Sequence, residues 1–442
     1  MNKQEYKSIK IISLIVKDIR FNQEKMGMGS DASNPHTDYS NPYVILQTGE
    51  VVDGQPLNGI GIGFSLGIGN DMICQAINEL KEIILGLSLY DIISDFKGLT
   101  RKLTNPLQSR WIGPVSGPYY MAAGAIVNAI FDLWAKIEKK PLWKLLVDIK
   151  PNDLISMLDL RYVEHLINEN EMLAILLNNY ATKAIRETEL INNGLPCYFT
   201  TWIGYDSNIL IDQIQEFKNI KGFDTFKIKI GLDLKSDQIK LEKIRQHFSN
   251  DISILTDANQ KWSVSEAIRW MKSISEFNIE WIEEPVAPDL IDGHKIIKDE
   301  LEHLGIDVVT GENCPNGHIA GQMISQNAVS RFQIDACRVV GPLENIIIML
   351  LAAKFKTPIC PHAGGSGLDE LVPHLAAWNY ICCNPSQEKV KVEQVGFCSH
   401  HFTVPSIVTN GKIKLTKEPG YIVGIKNKSL VEYEYLKGKN WM

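Results

Sequence analysis

The run SILTDAN (253–259) is the first of three apolar stretches that each end in a carboxylate. The other two are IEWIEEP (279–285) and VVTGEN (308–313). Their acids, Asp257, Glu283 and Glu312, stand 26 and then 29 residues apart, which is room for one strand and one returning helix. Residues at the carboxyl ends of successive barrel strands gather at one face, so this arrangement predicts a metal site in a barrel. Oxygen ligands favour a hard cation, and we predict Mg2+.

A pair of lysines precedes these acids on the strand pattern TFKIKI (225–230). Strand side chains alternate, so Lys227 and Lys229 point to one face. Taken alone, a Lys-x-Lys pattern is usually a solvated strand surface, and a single acid after a strand is usually a helix N-cap or a loop residue. Three successive acids, one strand after the lysine pair, favour the functional interpretation.

A histidine and an aspartate follow on the next two strand patterns. RFQIDA (331–336) contributes Asp335, and PICPHAGG (358–365) contributes His362. One interpretation is purely structural: Asp335 is then a buried acid at a barrel rim, and His362 is a core histidine with a satisfied hydrogen bond. Chemically, they fit a dyad in which the acid fixes the imidazole tautomer and raises its basicity. A base is then available on either side of the metal.

The length and the order of elements indicate an α/β barrel with a second domain. The chain has 442 residues, whereas a barrel commonly takes about 250 as one unit. Strand and helix patterns alternate regularly from about 195 to 395, after an α+β region and a helical stretch interrupted by Pro141. We predict an N-terminal α+β capping domain over 1–150, a barrel with the metal site over 151–400, and a segment returning to the cap over 401–442.

The motifs together resemble the mandelate racemase branch of the enolase superfamily, and within it most of all the L-fuconate dehydratases. The motifs are, in chain order, FKIKIG, TDANQKW, WIEEP, TGEN, QIDACRVVG and PHAGGSGLDELVPHLA. The segments 29–44 and 111–146 extend the resemblance over nearly the whole chain. One departure is Asn313 in TGEN, at a position that is often His in relatives. The resemblance implies a (β/α)7β TIM-like barrel with an N-terminal capping domain.

The resemblance and the site chemistry together suggest roles for the catalytic groups. We predict that Lys229 removes the C2 proton of a sugar acid, and that Lys227 holds the substrate carboxylate. The pKa of Lys229 is expected to fall toward neutrality, because Lys227 and Mg2+ are nearby cations. His362, oriented by Asp335, is then available to protonate the leaving 3-hydroxyl.

The resemblance also implies a set of substrate contacts outside the metal ligands. They are Asn259, Glu393 and, on the loop GSDASNPHTDY (29–39), Gly29, Ser30, Asp31 and Tyr39. We expect this loop to close over the barrel mouth and to contact distal hydroxyls of the substrate. The alternative is that a stretch of this composition is an ordinary surface loop.

The predicted function is a Mg2+-dependent dehydratase that converts L-fuconate to 2-keto-3-deoxy-L-fuconate, by C2 proton abstraction and loss of the 3-hydroxyl. The same lysine and histidine also suit a dehydratase, epimerase or racemase acting on another aldonate. A different class of function is a non-catalytic protein that keeps the barrel for binding a partner or RNA.

Composition bounds the partners and the compartment. The net charge is −7 and no dense basic face offsets it, so we predict no nucleic-acid partner. The longest apolar run, IIIMLLAA (346–353), is too short to span a bilayer, and no signal peptide is visible, so we predict no membrane partner. Eight scattered cysteines without a C-x-x-C pair suggest neither zinc nor disulfides, and favour the cytoplasm. We also predict a homo-oligomer.

Overall fold

The computed structural model describes residues 3–22, 29–52, 54–106, 108–113, 115–204, 206–386 and 391–442. The first part of the chain forms an antiparallel sheet of three strands that neighbour one another in chain order, with helices around it. Its elements are α1 (Lys3–Ser8), β1 (Ser13–Phe21), β2 (Tyr39–Val52), β3 (Gln55–Ile62), α2 (Asn70–Leu80), α3 (Leu89–Ser94), α4 (Phe96–Thr104), α5 (Gly117–Ile137) and α6 (Leu142–Asp148). This arrangement confirms the predicted α+β cap.

Helix α5 packs directly on strand β3, and two glycines make the close approach possible. A Cβ atom on Gly59 would lie 2.3 Å from the carbonyl oxygen of Ala129, and one on Gly61 would lie 2.2 Å from that of Ala125. Both distances are far below van der Waals contact, so only glycine fits. The Gly-rich run after 58 therefore serves packing between a strand and a helix.

Helix α5 is also long and apolar enough to cross a bilayer by length and composition. Of its most apolar window, 94% is buried inside the protein. A core helix passes the same test, and here the apolar surface is covered by strand β3 and the helices beside it.

Three helices, α7 (Pro151–Met157), α8 (Glu169–Tyr180) and α9 (Lys183–Asn193), lead into the second sheet. Its parallel strands alternate with helices. In chain order, these strands and helices are β4 (Leu195–Thr200), α10 (Ser207–Lys221), β5 (Thr225–Lys229), α11 (Leu234–Phe248), β6 (Ser253–Asp257), α12 (Val264–Ile274), β7 (Ile279–Glu283), α13 (Ile291–Leu301), β8 (Asp307–Thr310), α14 (Gly317–Ser325), β9 (Arg331–Phe332), α15 (Gly341–Phe355), α16 (Leu368–Trp378) and β10 (Val392–Gln394).

The sheet closes into a barrel because β10 pairs in parallel with β4. The seventh strand position, between β9 and β10, is filled by a segment that hydrogen-bonds to its neighbours without forming a regular strand. Ile359 bridges Phe332, the His362 amide donates to the Ile334 carbonyl, and the Glu393 amide donates to the Pro361 carbonyl. Eight strand positions connected by the seven helices α10 to α16 confirm the (β/α)7β barrel.

The barrel interior is filled by side chains from alternate strand positions. Tyr198, Leu255, Trp281, Val309 and Cys360 form one buried apolar cluster. This cluster excludes water beneath the carboxyl ends of the strands, where the predicted functional residues lie.

The last part of the chain contacts both the barrel and the cap. It contains β11 (Val408–Thr409), β12 (Lys412–Ile413) and α17 (Asn427–Tyr433), and β12 pairs with the start of β4. Further on, Glu434 bridges Ile19 and the Tyr435 amide donates to the Asp18 carbonyl, both on β1. The division at 150 and 400 stays a prediction.

Candidate active site

The three predicted metal ligands converge at the carboxyl ends of neighbouring strands. Asp257 is the last residue of β6, Glu283 is the last residue of β7, and Glu312 follows β8. Each offers a carboxylate oxygen, and these oxygens all lie within 4.8 Å of one another. A single divalent cation fits between oxygens at that separation.

Each ligand is presented by the strand that carries it. Parallel strands β6 and β7 are in register so that Asp257 pairs with Glu283. The two carboxylates therefore stand side by side at the same height, and the Glu312 carboxylate joins them from the next strand. One oxygen of Glu283, Oε2, is buried and has no hydrogen-bond partner among the residues that the structure describes. An unsatisfied buried carboxylate oxygen is costly, and coordination to a cation would satisfy it. The residues present fit Mg2+.

The two lysines occupy different depths. Lys227 Nζ is fully buried and lies 2.6 Å from Glu283 Oε1, 2.7 Å from Glu393 Oε1 and 3.4 Å from Asp257 Oδ2. Lys229 Nζ lies 2.5 Å from Asp257 Oδ2 and 3.0 Å from Asn259 Oδ1. Lys229 lines the open pocket, whereas Lys227 lies behind it.

The pKa of Lys229 is raised in the protein without a cation. Burial lowers it and the adjacent Lys227 lowers it further, but the carboxylates of Asp257, Glu312 and Asp31 together raise it by more, so the net pKa is above its ordinary value. The predicted fall toward neutrality included Mg2+, so it stays a prediction for the protein with the cation bound. A cation coordinated by Asp257 would compensate the negative charge that raises the pKa of Lys229.

His362 and Asp335 form the predicted dyad. His362 Nδ1 lies 2.7 Å from Asp335 Oδ2, and Nε2 lies 3.1 Å from Glu312 Oε2. Asp335 is itself held by the amides of Cys337 and Arg338, at 2.6 and 2.7 Å from its Oδ1. Burial lowers the pKa of His362, but Glu312, the Asp335 hydrogen bond and Glu393 raise it to about 10.

Glu393, on the last strand, lies between Lys227 and His362. Its Oε1 pairs with Lys227 and accepts from the Thr200 hydroxyl, and its Oε2 accepts from the Ala363 amide at 3.0 Å. Burial alone would raise the pKa of Glu393, yet Lys227 and His362 hold it well below its usual range. Glu393 is therefore an ionised group between Lys227 and His362.

These residues surround a cavity of about 550 Å3 at the mouth of the barrel. The predicted residues that line it are Gly29, Asp31, Tyr39, Lys229, Asn259, Glu312, His362 and Glu393. Ser30, Lys227, Asp257, Glu283 and Asp335 lie outside the lining. The cap thus contributes three of the predicted positions to the cavity wall.

The cap loop is fixed to the barrel rim by hydrogen bonds. The Ser33 hydroxyl donates to the Asn259 carbonyl at 2.6 Å, and the Gly204 amide donates to the Ser30 hydroxyl at 3.1 Å. Asp31 is engaged within the loop: its Oδ1 accepts from the amides of Ser33 and Asn34, each at 2.7 Å. Ser30 and Asp31 thus have clear roles in holding the loop.

Two other predicted positions on this loop are constrained by packing. Gly29 has a φ of +74°, and a Cβ there would lie 2.6 Å from the Thr37 hydroxyl oxygen, so glycine is required. The Tyr39 ring packs edge-on against Phe64, Trp202 and Phe397. Tyr39 is therefore part of an aromatic wall of the cavity.

The sequence interpretation missed an outer group of polar residues next to the metal ligands. Glu284 is buried, and its carboxylate accepts from Gln260 Nε2 at 3.1 Å and from Asn313 Nδ2 at 3.1 Å. Asn313 Nδ2 also lies 3.1 Å from Glu312 Oε1. Asn313, the departure from relatives, therefore bridges a ligand and this second carboxylate. The second acid in IEWIEEP is the sequence signal from which Glu284 could have been predicted.

The sequence interpretation also missed Arg338, which lines the cavity. Its Nε donates to the Glu312 carbonyl at 3.2 Å, and its guanidinium contacts Met121 Sδ on α5 at 3.6 Å. It links a ligand-bearing segment to the cap. Nothing in the spacing of QIDACRVVG indicates this contact, because Met121 comes from a distant part of the chain.

Comparison with known proteins matches residues 210–429 to the family described as enolase C-terminal domain-like. The chain is 40% identical to human mitochondrial enolase superfamily member 1 over 435 residues, covering 98% of this chain and 97% of the relative. The crystal structure of that human protein superposes with a TM-score of 0.95, at 39% identity and 98% coverage of both chains.

A dehydratase is also among the similar proteins. The L-galactonate dehydratase of Hypocrea jecorina is 38% identical over 432 residues, which cover 96% of this chain and 94% of that enzyme. At the level of the fold alone, L-talarate/galactarate dehydratase from Salmonella typhimurium LT2, liganded with Mg and L-lyxarohydroxamate, matches with a TM-score of 0.72. Its identity is 21%, and the match covers 94% of this chain and 90% of that one. With two full-length relatives near 40% identity and the barrel and cap in place, the chain belongs to the enolase superfamily.

Proposed function

We propose that this chain is a Mg2+-dependent sugar-acid dehydratase. The observation that supports this proposal most directly is the placement of Lys229 and His362. Lys229 contacts Asp257 from the β5 side of the three carboxylates, and His362 contacts Glu312 from the opposite side in the strand order. Both side chains line one cavity. A substrate between them meets a candidate proton acceptor on one face and a candidate proton donor on the other.

The protonation states suit a split of roles between these two groups. Without a cation, Glu312, the Asp335 hydrogen bond and Glu393 outweigh burial and raise the pKa of His362 to about 10, which favours the protonated imidazole that a general acid requires. A cation at Glu312 would offset that carboxylate, and Asp335 and Glu393 would remain to favour the protonated ring. The hydrogen bond from His362 Nδ1 to Asp335 leaves Nε2 as the atom that faces the cavity side. In this scheme Lys229 acts as a base only in the neutral form, which the cation at the carboxylates favours by offsetting the charge of Asp257.

The reaction then balances with two proton transfers by the protein. Lys229 takes the C2 proton, and the electron pair of that C–H bond moves toward the carboxylate to give an enediolate. When the C3–O bond then breaks, the pair forms the C2–C3 double bond. His362 gives its proton to the departing 3-hydroxyl, which leaves as water. The enol then takes a proton at C3 and becomes a 2-keto-3-deoxy acid. Mg2+, when bound, supplies positive charge that stabilises the charge developing on the substrate carboxylate.

For the substrate we propose an aldonate of L-galacto configuration, with L-fuconate as the predicted compound. L-Fuconate is the 6-deoxy analogue of L-galactonate, so the two share their configuration from C2 to C5. The 38% identity to an L-galactonate dehydratase supports that configuration. A cavity of about 550 Å3 is ample for a six-carbon acid. L-Galactonate is accordingly the second candidate.

The proposal is tested with the purified protein and Mg2+ on a panel of aldonates, with 2-keto acid formation as the readout. We expect L-fuconate and L-galactonate to be dehydrated at least tenfold faster than their C2 epimers. Interconversion of C2 epimers without keto acid would instead make the protein an epimerase. Absence of any turnover, with Mg2+ bound, would favour a binding protein.

We keep the cytoplasm and a homo-oligomer as proposals. All eight cysteines are free thiols, which suits a reducing compartment. The human relative is named as mitochondrial, and that compartment is also compatible with free thiols. Fractionation of the source cells and light scattering of the purified protein test these two proposals.

A further inference from the structure

A buried pair of hydrogen bonds joins the cap to the segment that follows His362. Ser366 Oγ donates to Asn41 Oδ1 at 2.8 Å, and Asn41 Nδ2 donates to the Ser366 carbonyl at 3.0 Å. The same Nδ2 donates to the Gly63 carbonyl at 2.8 Å. Asn41 lies on β2, and both Asn41 and Ser366 are 0% exposed. Because solvent does not compete for these bonds, they hold two segments that are 325 residues apart in the chain firmly together.

The segment held in this way, 363–366, passes close to the imidazole of His362. A Cβ atom on Gly364 would lie 2.7 Å from His362 Nε2, so the Gly364 backbone lies beside the ring nitrogen that serves as the acid in the proposed reaction. At the start of the segment, the Ala363 amide donates to Glu393 Oε2 at 3.0 Å. The barrel strand β10, which carries Glu393, therefore fixes one end of the segment.

The cap contacts the other end of this segment at close range. A Cβ atom on Gly365 would lie 2.6 Å from the Phe64 ring, and one on Gly367, just after the segment, would lie 2.3 Å from Ile62 Cδ1. Both distances are below van der Waals contact, so the backbone here lies against the end of β3 and the residues after it. The segment is therefore held between the barrel and the cap, and Asn41 provides hydrogen bonds on the cap side.

The two candidate proton carriers differ in their dependence on this connection. Lys229 is the last residue of β5, and its Nζ contacts two groups that are carried by β6 and the residues after it. Neither group belongs to the segment that Asn41 holds. The orientation of His362 instead depends on Asp335 at Nδ1 and on the segment 363–366 beside Nε2.

We propose that Asn41 and Ser366 are positioning residues for His362, through which the cap sets the alignment of the acid. This inference rests on the proposed dehydratase function, in which His362 gives a proton to the leaving 3-hydroxyl. Proton transfer requires a well-aligned donor and acceptor, so a displaced backbone beside Nε2 slows that step. Removal of the C2 proton by Lys229 continues. A pair with a purely structural role would affect both steps alike.

The first test compares Ser366→Ala with Thr48→Val in the full chain. Thr48 lies further along β2, is 5% exposed and donates its hydroxyl to the Leu57 carbonyl at 2.7 Å, so this control loses a buried hydrogen bond of the cap away from His362. L-Fuconate and L-galactonate are followed in 2H2O. In Ser366→Ala we expect the ratio of keto acid formed to C2 proton exchanged to fall by about tenfold or more. In Thr48→Val the ratio should match the wild type, and equal ratios in the two variants overturn the inference.

The second test needs no substrate, so it separates failure of this inference from failure of the proposed function. The imidazole signals of His362 are assigned in NMR spectra of histidine-labelled protein by their absence from His362→Asn. We expect them to shift in Ser366→Ala and to keep their wild-type positions in Thr48→Val. Ser366→Cys has a weaker donor of similar size, so it should give a smaller shift, and it replaces Ser366→Ala in both tests if that variant does not fold. Unchanged His362 signals overturn the inference, whether or not the wild type dehydrates a sugar acid.

Discussion

Lys227 Nζ lies 2.6 Å from Glu283 Oε1, and both groups are fully buried beneath the cavity at the barrel mouth. The lysine is the counter-charge of a metal ligand and of Glu393 at the same time. Burial lowers the pKa of Lys227, but the two glutamates raise it well above its ordinary value, so it stays charged. This geometry points first to a part in holding the acidic cluster together.

Removing that counter-charge is expected to destabilise the protein. Lys227→Met removes the hydrogen bond to Glu283 and leaves Glu393 as a buried charge without its lysine partner, which costs about 3–5 kcal/mol in the free energy of unfolding. Saturating Mg2+ should restore more stability in this variant than in the wild type, since the cation replaces the lost charge. Urea unfolding with EDTA and with Mg2+ measures both effects. Lys235→Met, at an exposed helix position, is the control, and an unfolding midpoint equal to the control's contradicts the assignment.

Mg2+ affinity is expected to rise with pH between 6 and 8. Burial raises the pKa of Glu283 to about 8, so below that pH the carboxyl group carries a proton that must leave before a cation binds. Each pH unit should therefore strengthen binding by up to about tenfold, with a plateau above pH 8. Isothermal titration of Mg2+ at several pH values measures this slope.

The same titration tests the ligand itself. Glu283→Gln cannot supply a negative oxygen, so we expect Mg2+ affinity to fall by more than about tenfold and the pH slope to flatten. Turnover should fall with it. If both affinity and turnover match the wild type, Glu283 is not a metal ligand.

Lys229 and His362 should separate the two proton transfers. Lys229→Ala is expected to reduce exchange of the C2 proton by about 10^2–10^4-fold, because it removes the base. His362→Asn should keep exchange and lose elimination, since it removes the acid but leaves Lys229 in place. Proton NMR of a sugar acid in 2H2O follows the C2 signal and the keto acid together. Full exchange in Lys229→Ala would move the base elsewhere.

Asp31 should act through the shape of the cap loop. Because its Oδ1 accepts the amides of Ser33 and Asn34, Asp31→Ala should loosen the loop and cost about 1–3 kcal/mol of substrate binding. We expect KM to rise equally for a six-carbon acid and for a four-carbon acid, and Asp31→Asn to restore both. A larger loss on the six-carbon acid alone would show direct recognition of a distal hydroxyl.

Much of the barrel and its ligands could be predicted because the signals are local. A strand followed by an acid repeats at the spacing of one βα unit, so Asp257, Glu283 and Glu312 meet at one face. The alternation in TFKIKI gave the shared face of the lysines. The alternation could not predict how deeply each lysine is buried, because that depends on Glu283 and Glu393, which come from other strands.

Contacts between distant segments explain the rest of what was missed. The contact of Arg338 with Met121 joins the barrel to α5, and Asn313, which follows β8, reaches Glu284, which follows the neighbouring strand β7. The raised pKa of Lys229 in the protein without a cation has a similar cause. The prediction weighed the cations Lys227 and Mg2+, whereas the carboxylate of Asp257, from the next strand, acts on this pKa more strongly than Lys227 does and in the opposite direction.

The most direct test of the central claim is dehydration of L-fuconate in 2H2O with Mg2+, followed by NMR of the product. The enol formed by loss of the C2 proton and the 3-hydroxyl takes a deuteron from solvent at C3, so we predict a 2-keto-3-deoxy acid with one deuterium at C3. Formation should stop with EDTA and in Lys229→Ala. A folded, Mg2+-bound protein that gives no keto acid from L-fuconate or L-galactonate would contradict the account.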